Sequence, residues 1–487
     1  MKCALIIPAW QPEELFPAKT SSSQLNYWQP LGTLYVAASL KEAGHEVEFF
    51  NGAFMGHDEI MARLEDYSPG LVGLYSTTFG WPKALKTAAA IKAVNQKTFI
   101  CVGGPYPIAV KSSCLQDNMD VDAVVMGEAE ITLPLLAKHI ENSLPLNNIA
   151  GLAYRDEGEI VQNALGVINE DLDKIPFPAR ELLHDARDYI PPPATYRRKP
   201  VAVMITARGC DRRCIFCSQI DKKRESGVRG IRFRSVENVL AEIEMCLQQG
   251  YREIKFIDDT LAADYDRLMT LTQEIKRRKL DFTWFASACV NQVDKPLLQA
   301  MKDAGCWAIL FGAESGVQKN LNTLRKGSTL QHTRDAVKAA KQVGLSVTTS
   351  FIFGIPGETY EDALKTIDFA IELGADTANF HAITPFPGTP LYDNLNKYGH
   401  VSDDLSDFTY QGAAFVPFGL TREQVHSLRQ LAFRRFYSRP SFLFHRILKL
   451  RHKNEWRAAA HGLKSLFWIW WEKDIFNRQK TATKQVN

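Results

Sequence analysis

The 487-residue chain has no run of about 18 consecutive apolar residues, so no stretch is expected to cross a bilayer as a helix. Charge of one sign is also scarce. The 58 Lys/Arg and 55 Asp/Glu leave +3, too little for a nucleic-acid binder that works by neutralising phosphates. Nine cysteines is an odd number, and three crowd into one short segment; this speaks against a disulfide framework and for a reducing cytoplasm. No secretory leader is expected, because Met1-Lys2 runs straight into the apolar Cys3-Ala-Leu-Ile-Ile7. What is present, 45% hydrophobic and 23% charged residues, is ordinary for a globular protein of roughly two to four domains.

The chain is organised around Ala207-Arg-Gly-Cys210-Asp-Arg-Arg-Cys214-Ile-Phe216-Cys217, which follows a buried-strand pattern at Val201–Thr206. Three thiolates spaced C-x3-C-x2-C can ligate three irons of a [4Fe-4S] cluster and leave the fourth iron open, whereas ferredoxin patterns supply four cysteines. A zinc knuckle would need a fourth Cys or His at knuckle spacing, and none lies nearby. Cys210, Cys214 and Cys217 are therefore the candidate catalytic and metal-ligating set.

This loop, including the aromatic Phe216, resembles the signature of the radical S-adenosylmethionine (SAM) superfamily. The resemblance implies that the open iron chelates the amino and carboxylate groups of SAM, which is then cleaved reductively to a 5′-deoxyadenosyl radical. It also implies an electron donor such as flavodoxin or ferredoxin.

Residues 1–145 alternate short apolar runs with helical patterns. Strands are expected at Cys3–Ile7, Glu46–Phe50, Leu71–Tyr75, Thr98–Val102 and Ala123–Met126, with helices such as Gly32–Ala43 and Lys83–Val94 between them. This predicts a doubly wound, Rossmann-like α/β domain that binds ligands at the carboxyl ends of its strands. Ser76, Thr77, Gly103, Gly104, Gly127 and Glu128 fall at those ends, where each alone is also ordinary turn chemistry. Together with Trp28-Gln-Pro-Leu-Gly32 and Val121-Asp-Ala-Val-Val-Met-Gly127-Glu128, they resemble the cobalamin-binding domain upstream of many radical SAM enzymes. The Asp-x-His-x-x-Gly word that supplies an axial histidine in mutase-type cobalamin proteins is absent; the second strand ends in Asn51-Gly52-Ala53. By resemblance, cobalamin would bind without a protein histidine on cobalt.

Residues 146–199, marked by Gly158, Pro176, Pro178 and Pro191-Pro192-Pro193, read as a linker. From 200 to 415, six strand–helix units recur, which by resemblance form a partial (β/α)6 barrel with its chemistry at the carboxyl strand ends. The words there are Asp258-Asp259-Thr260, Glu314-Ser315-Gly316, Gly354-Ile-Pro-Gly357-Glu-Thr359 and Thr384–Tyr392. The resemblance makes Phe216, Asp258, Asp259, Glu314, Ser315 and Gly354 the SAM contacts: a carboxylate for the ammonium, Glu314 for the ribose, and Gly354 in the adenine-side wall. The alternative for Asp258 and Asp259 is to cap the next helix, and Thr359 reads as an N-cap. Cys289 stands where many relatives carry arginine, and a buried structural cysteine is its commoner role.

Residues 416–487 read as a basic, aromatic helical region, with 13 Lys/Arg against 3 Asp/Glu from Arg434 onward and Leu466-Phe-Trp-Ile-Trp-Trp471 near the end. Two readings stay open: peripheral contact with a membrane surface, or a helix docked on the barrel with snorkelling bases. The leading expectation is a cobalamin-dependent radical SAM enzyme that methylates an unactivated carbon of a small-molecule or lipid-like substrate. A cyclase, carbon–carbon coupling enzyme or oxidative enzyme of the same architecture is the alternative. A cofactor-based sensor comes third, since nothing resembles an output domain.

Overall fold

The computed structural model describes residues 1–11, 27–166, 168–191, 195–218, 230–409, 412–440 and 442. The first domain contains β1 (Lys2–Ile7), α1 (Leu31–Glu42), β2 (Glu46–Asn51), α2 (His57–Tyr67), β3 (Leu71–Tyr75), α3 (Trp81–Val94), β4 (Phe99–Gly103), α4 (Pro105–Val110), β5 (Ala123–Val125) and α5 (Ala129–Glu141). Its central strands are buried on both faces, so they read as continuous apolar runs rather than alternating ones. The strand order begins β2-β1-β3-β4-β5, all parallel, which is the flavodoxin-like winding with its switch point between β1 and β3.

The sheet does not stop at residue 145. β6 (Leu152–Asp156) and β7 (Glu159–Gln162) extend it antiparallel. Gly158, taken in sequence as a linker mark, is the second residue of a tight hairpin. Glu157 and Gly158 both have positive φ, 47° and 92°, the geometry that matches strand twist in a two-residue loop.

The second domain contains β8 (Val201–Met204), β9 (Ala207–Arg208), β10 (Arg232–Phe233), α6 (Val236–Gln248), β11 (Glu253–Phe256), α7 (Tyr265–Arg277), β12 (Thr283–Ala288), α8 (Lys295–Asp303), β13 (Cys306–Glu314), α9 (Leu330–Gln342), β14 (Ser346–Phe353), α10 (Tyr360–Leu373), β15 (Thr377–Ala382) and α11 (Arg422–Tyr437). Six parallel strands run β15-β14-β13-β12-β11-β8, an open partial barrel. Alternate residues such as Ile254, Phe256, Trp284, Phe311 and Phe380 pack against the helices in the largest core, so the intervening residues face the concave side.

An open barrel leaves two strand edges to protect. On β8, Gln29 of the first domain accepts from Val203 N at 3.1 Å, and Arg180 donates to Val203 O at 2.8 Å. On β15, the Tyr437 hydroxyl of α11 both accepts from Ala378 N at 3.0 Å and donates to Ala378 O at 2.8 Å. Val425, Leu428, Ala432 and Phe436 bury the inner stripe of α11. The aromatic basic run beyond it, residues 443–487, lies outside the described residues. No helix among the described residues is long and apolar enough to cross a membrane.

Candidate functional site

The cysteine loop is pinned at both ends. At its start β9 pairs antiparallel with β10, Arg208 opposite Arg232, and Gly209 turns the chain at φ 96°. At its far side Ile215 donates to Leu324 O at 3.1 Å and accepts from Leu391 N at 2.9 Å. Ile215 is sealed in an apolar cluster with Ile352, Ile355 and Phe415, against which Phe216 packs. Cys214 is buried, Cys210 and Cys217 are half-buried, and none of the nine cysteines is in a disulfide. Burial pushes the Cys214 thiol up to about 11, with the Lys326 ammonium opposing.

A cavity of about 480 Å³ opens beside this loop, between the two domains. Its floor is the carboxyl ends of the first sheet: Leu5, Leu74, Val102, Gly103, Gly104 and Gly127. Opposite stand Ile205, Ile257, Asp258 and Asp259, together with Gly209 and Ser218, which flank the cysteine triplet. A side chain at Gly32 or Gly103 would project into open space, so bare backbone faces the cavity there. Gly104 is required by geometry: its φ is 105°, and a Cβ would meet Ser76 O at 2.7 Å. No histidine is among the lining residues, and His57 begins α2 away from them.

The structure separates residues that looked equivalent in sequence. Asp258 is buried; its Oδ1 accepts from Thr206 N at 2.7 Å and Thr206 Oγ1 at 2.9 Å, while its Oδ2 has no partner. Burial raises its carboxyl to about 6, the Thr206 hydrogen bonds opposing. Asp259 is exposed at the cavity rim. Neither caps a helix, since Asp264 caps α7. Thr359 does cap α10, in a reciprocal box with Asp362.

Several other sequence candidates lie outside the cavity lining. The Ser76 hydroxyl bonds Thr77 O at 2.9 Å, and Thr77 Oγ1 accepts from Gly80 N, so both serve their own turn. Ser315 Oγ is occupied by Thr366, Val317 N and Asn320. Gly354, at φ 83°, donates its N–H to the buried Glu358 at 2.7 Å. Glu314 sits at a bulge of β13 with φ 62° and pairs with Lys326 at 2.6 Å; a Cβ on Gly312 would come within 2.4 Å of its carboxylate.

Glu128 lines the cavity within an ionic tie between domains. It meets Arg232 at 2.5 Å and Arg208 at 3.3 Å, and Arg208 also pairs with Glu130. Burial alone would raise the Glu128 carboxyl, but the Arg232 hydrogen bond and Arg208 charge outweigh it and hold it below the usual range. Arg208, Arg232, Glu130 and Lys326 were not singled out from sequence. Arg208 stands two residues before the first cysteine and Glu130 in the strand-end word Gly127-Glu-Ala-Glu130, which were the available signals; Arg232 and Lys326 carry none, because their partners are distant in the chain.

A flavodoxin-like domain whose strand ends share a cavity with a three-cysteine loop on a partial barrel defines a class, the radical SAM enzymes with a cobalamin module. Residues 204–370 match the radical SAM superfamily model, and residues 22–137 match the B12-binding domain model. The chain is 32% identical over 455 residues to an uncharacterised methyltransferase of Pyrococcus horikoshii, covering 90% of this chain and 94% of that one. It is 25% identical over 441 residues to the anaerobic magnesium-protoporphyrin IX monomethyl ester cyclase of Rubrivivax gelatinosus, covering 88% and 77%. The radical SAM methyltransferase TsrM of Kitasatospora setae, solved with tryptophan and a SAM analogue, shares the fold at a TM-score of 0.68 and 18% identity, with 89% and 90% of the two chains covered. The chain belongs to the radical SAM superfamily, in the group that carries an N-terminal B12-binding domain. That family uses a [4Fe-4S] cluster and SAM.

The residues present fit these groups. Three thiols on one pinned loop would, once deprotonated, supply the donor set of such a cluster. The orphaned Asp258 Oδ2 is an unpartnered acceptor on a residue that lines the cavity, and the bare glycine backbone over an apolar floor suits close approach by a large macrocycle.

Proposed function

We propose that this protein is a cobalamin-dependent radical SAM C-methyltransferase acting on a small-molecule substrate. The observation that carries this reading is the single cavity onto which the glycine-lined strand ends, Asp258 and both flanks of the cysteine triplet all open. Bound there, cobalamin supplies a transferable methyl group, while SAM at the cluster supplies the radical that opens a C–H bond.

Cys210, Cys214 and Cys217 hold three irons. Asp258 Oδ2 accepts from the SAM ammonium, which offsets the cost of its burial. Glu314 Oε1 is held by Lys326, leaving Oε2 for the ribose hydroxyls. Gly103, Gly104 and Gly127 let the macrocycle lie against backbone, and the apolar floor excludes water. The cyclase relative supports a second reading, in which the same radical start ends in ring formation.

Anaerobic reconstitution with cobalamin and SAM, followed by product analysis, separates the two. Methyl transfer yields S-adenosylhomocysteine beside 5′-deoxyadenosine, whereas cyclisation yields only the latter. Cys214→Ala should abolish 5′-deoxyadenosine formation; a variant that still formed it would sink both readings.

A further inference from the structure

Lys255 lies on the concave face of β11 with its ammonium 4.0 Å from the centre of the Trp28 ring and 4.5 Å from that of Phe285. Trp28 comes from the first domain and packs with Val203 and Ile205 on the open side of the barrel. The register pairs Lys255 with Phe285, and the layers above carry Ser287, Leu310 and Thr348, then Ser350 and Asn379. Ser287, Leu310, Thr348, Ser350 and Asn379 are half-buried while their sequence neighbours are buried, so the concave face stays accessible above Lys255, which is itself half-buried beside the buried Phe285. Ile257, on the same face two residues on, lines the interdomain cavity.

The floor beneath is closed. Glu253 accepts from Trp307 Nε1 at 2.6 Å, Arg198 N at 3.2 Å and Arg197 N at 3.3 Å, so its carboxylate is committed elsewhere. Among the described residues no carboxylate forms an ion pair with Lys255. Burial pulls its ammonium down to about 8 with no acid offsetting it. Ring faces recover part of the desolvation cost, but an apolar side chain of similar length would fill this slot more cheaply. A cation kept there without an anion is explained by an anion that arrives. The ammonium supplies the counter-charge and the flanking rings supply apolar walls, a pairing that suits a carboxylate carried on an apolar organic body.

We propose that the lower barrel lumen is an anion subsite in which Lys255 holds the carboxylate of an organic substrate, with the apolar part of that substrate beside Trp28 and Phe285. The inference rests on reading the lumen as the substrate site of the methyl transfer above.

The test is calorimetry on the full-length protein loaded with cluster, cobalamin and SAM. The probes are a series of phenyl-substituted alkanoic acids, their amides, and phenyl phosphate. At least one acid should bind tenfold or more tightly than its amide and than phenyl phosphate. Lys255→Met should erase that difference and Lys255→Arg should keep most of it. Lys255→Met should also melt higher than the parent without probe, which a lysine kept for packing would not allow. No acid–amide difference in the parent, tighter phenyl phosphate binding, a difference that survives Lys255→Met, or a lower melting temperature for that variant would each overturn the proposal. Should Lys255→Met fail to fold, the acid–amide comparison in the parent and Lys255→Arg decides. Acid selectivity without S-adenosylhomocysteine formation would leave the subsite standing and remove methyl transfer; the converse would do the opposite.

Discussion

Asp258 is costly to the empty fold. Its carboxyl titrates near 6 instead of 3.8 because burial disfavours the anion. The sign follows: below about 3.8 the group is neutral in both folded and unfolded chain and costs nothing, and above 6 the folded state carries the full penalty. That penalty is on the order of 2–3 kcal/mol. Asp258→Asn keeps an oxygen for Thr206 N and the Thr206 hydroxyl while removing the charge. It should raise the melting temperature at pH 7.5, with the gain fading toward pH 4, and weaken SAM binding at least tenfold. Thermal unfolding across pH and SAM calorimetry check both halves. A variant less stable at pH 7.5 would mean that the attraction of the nearby Arg267 guanidinium outweighs the burial cost of the carboxylate.

At the scale of elements, the open barrel is held by side chains that stand in for missing strands. Tyr437 makes two hydrogen bonds to the edge strand β15 through one hydroxyl. Tyr437→Phe leaves an N–H and a C=O of that strand without this partner and should cost about 1–3 kcal/mol. Denaturant unfolding would read this as a lower midpoint, with 5′-deoxyadenosine formation per cluster unchanged because Ala378 stands at the amino end of β15, at the opposite end of the strand from the carboxyl edge where the chemistry is placed. The other edge is treated differently. Gln29 and Arg180, which cap β8, come from the first domain and the segment after it, so that edge is completed only when the two domains meet.

Across the whole molecule, the Glu128–Arg232–Arg208–Glu130 tie joins the cobalamin-type domain to the cysteine loop. Breaking a buried pair from one side leaves an uncompensated charge and costs about 3–5 kcal/mol. Glu128→Gln should therefore lower stability at pH 7 and separate the unfolding of the two domains into distinct calorimetric transitions. Because the Glu128 carboxyl is held below its usual range, the stabilisation is complete at neutral pH and lost as pH falls through that depressed value. Parent and variant should converge in acid. The same variant should loosen the register between the domains, seen as a lower ratio of S-adenosylhomocysteine to 5′-deoxyadenosine.

Much of this protein is legible in its sequence, for local reasons. Strand–helix alternation and buried apolar runs predict both α/β domains, and C-x3-C-x2-C sets a donor count that points to a cluster with an open iron. The Thr359 cap is equally local. The Glu157–Gly158 hairpin is local too, yet its sequence is ambiguous, since a glycine marks a linker as readily as a tight turn. What only the tertiary structure decided depends on which chain segments meet. Asp258 and Asp259 are adjacent in sequence, yet one is buried against Thr206 and the other exposed. Ser76 and Thr77 carry hydroxyls that bond within their own turn, while the Ser315 hydroxyl is bonded to Thr366 of α10 and to Asn320. Lys255 and Trp28, 227 positions apart, come into contact because a side chain's solvent and partners are set by packing, which no residue's own neighbours in sequence specify.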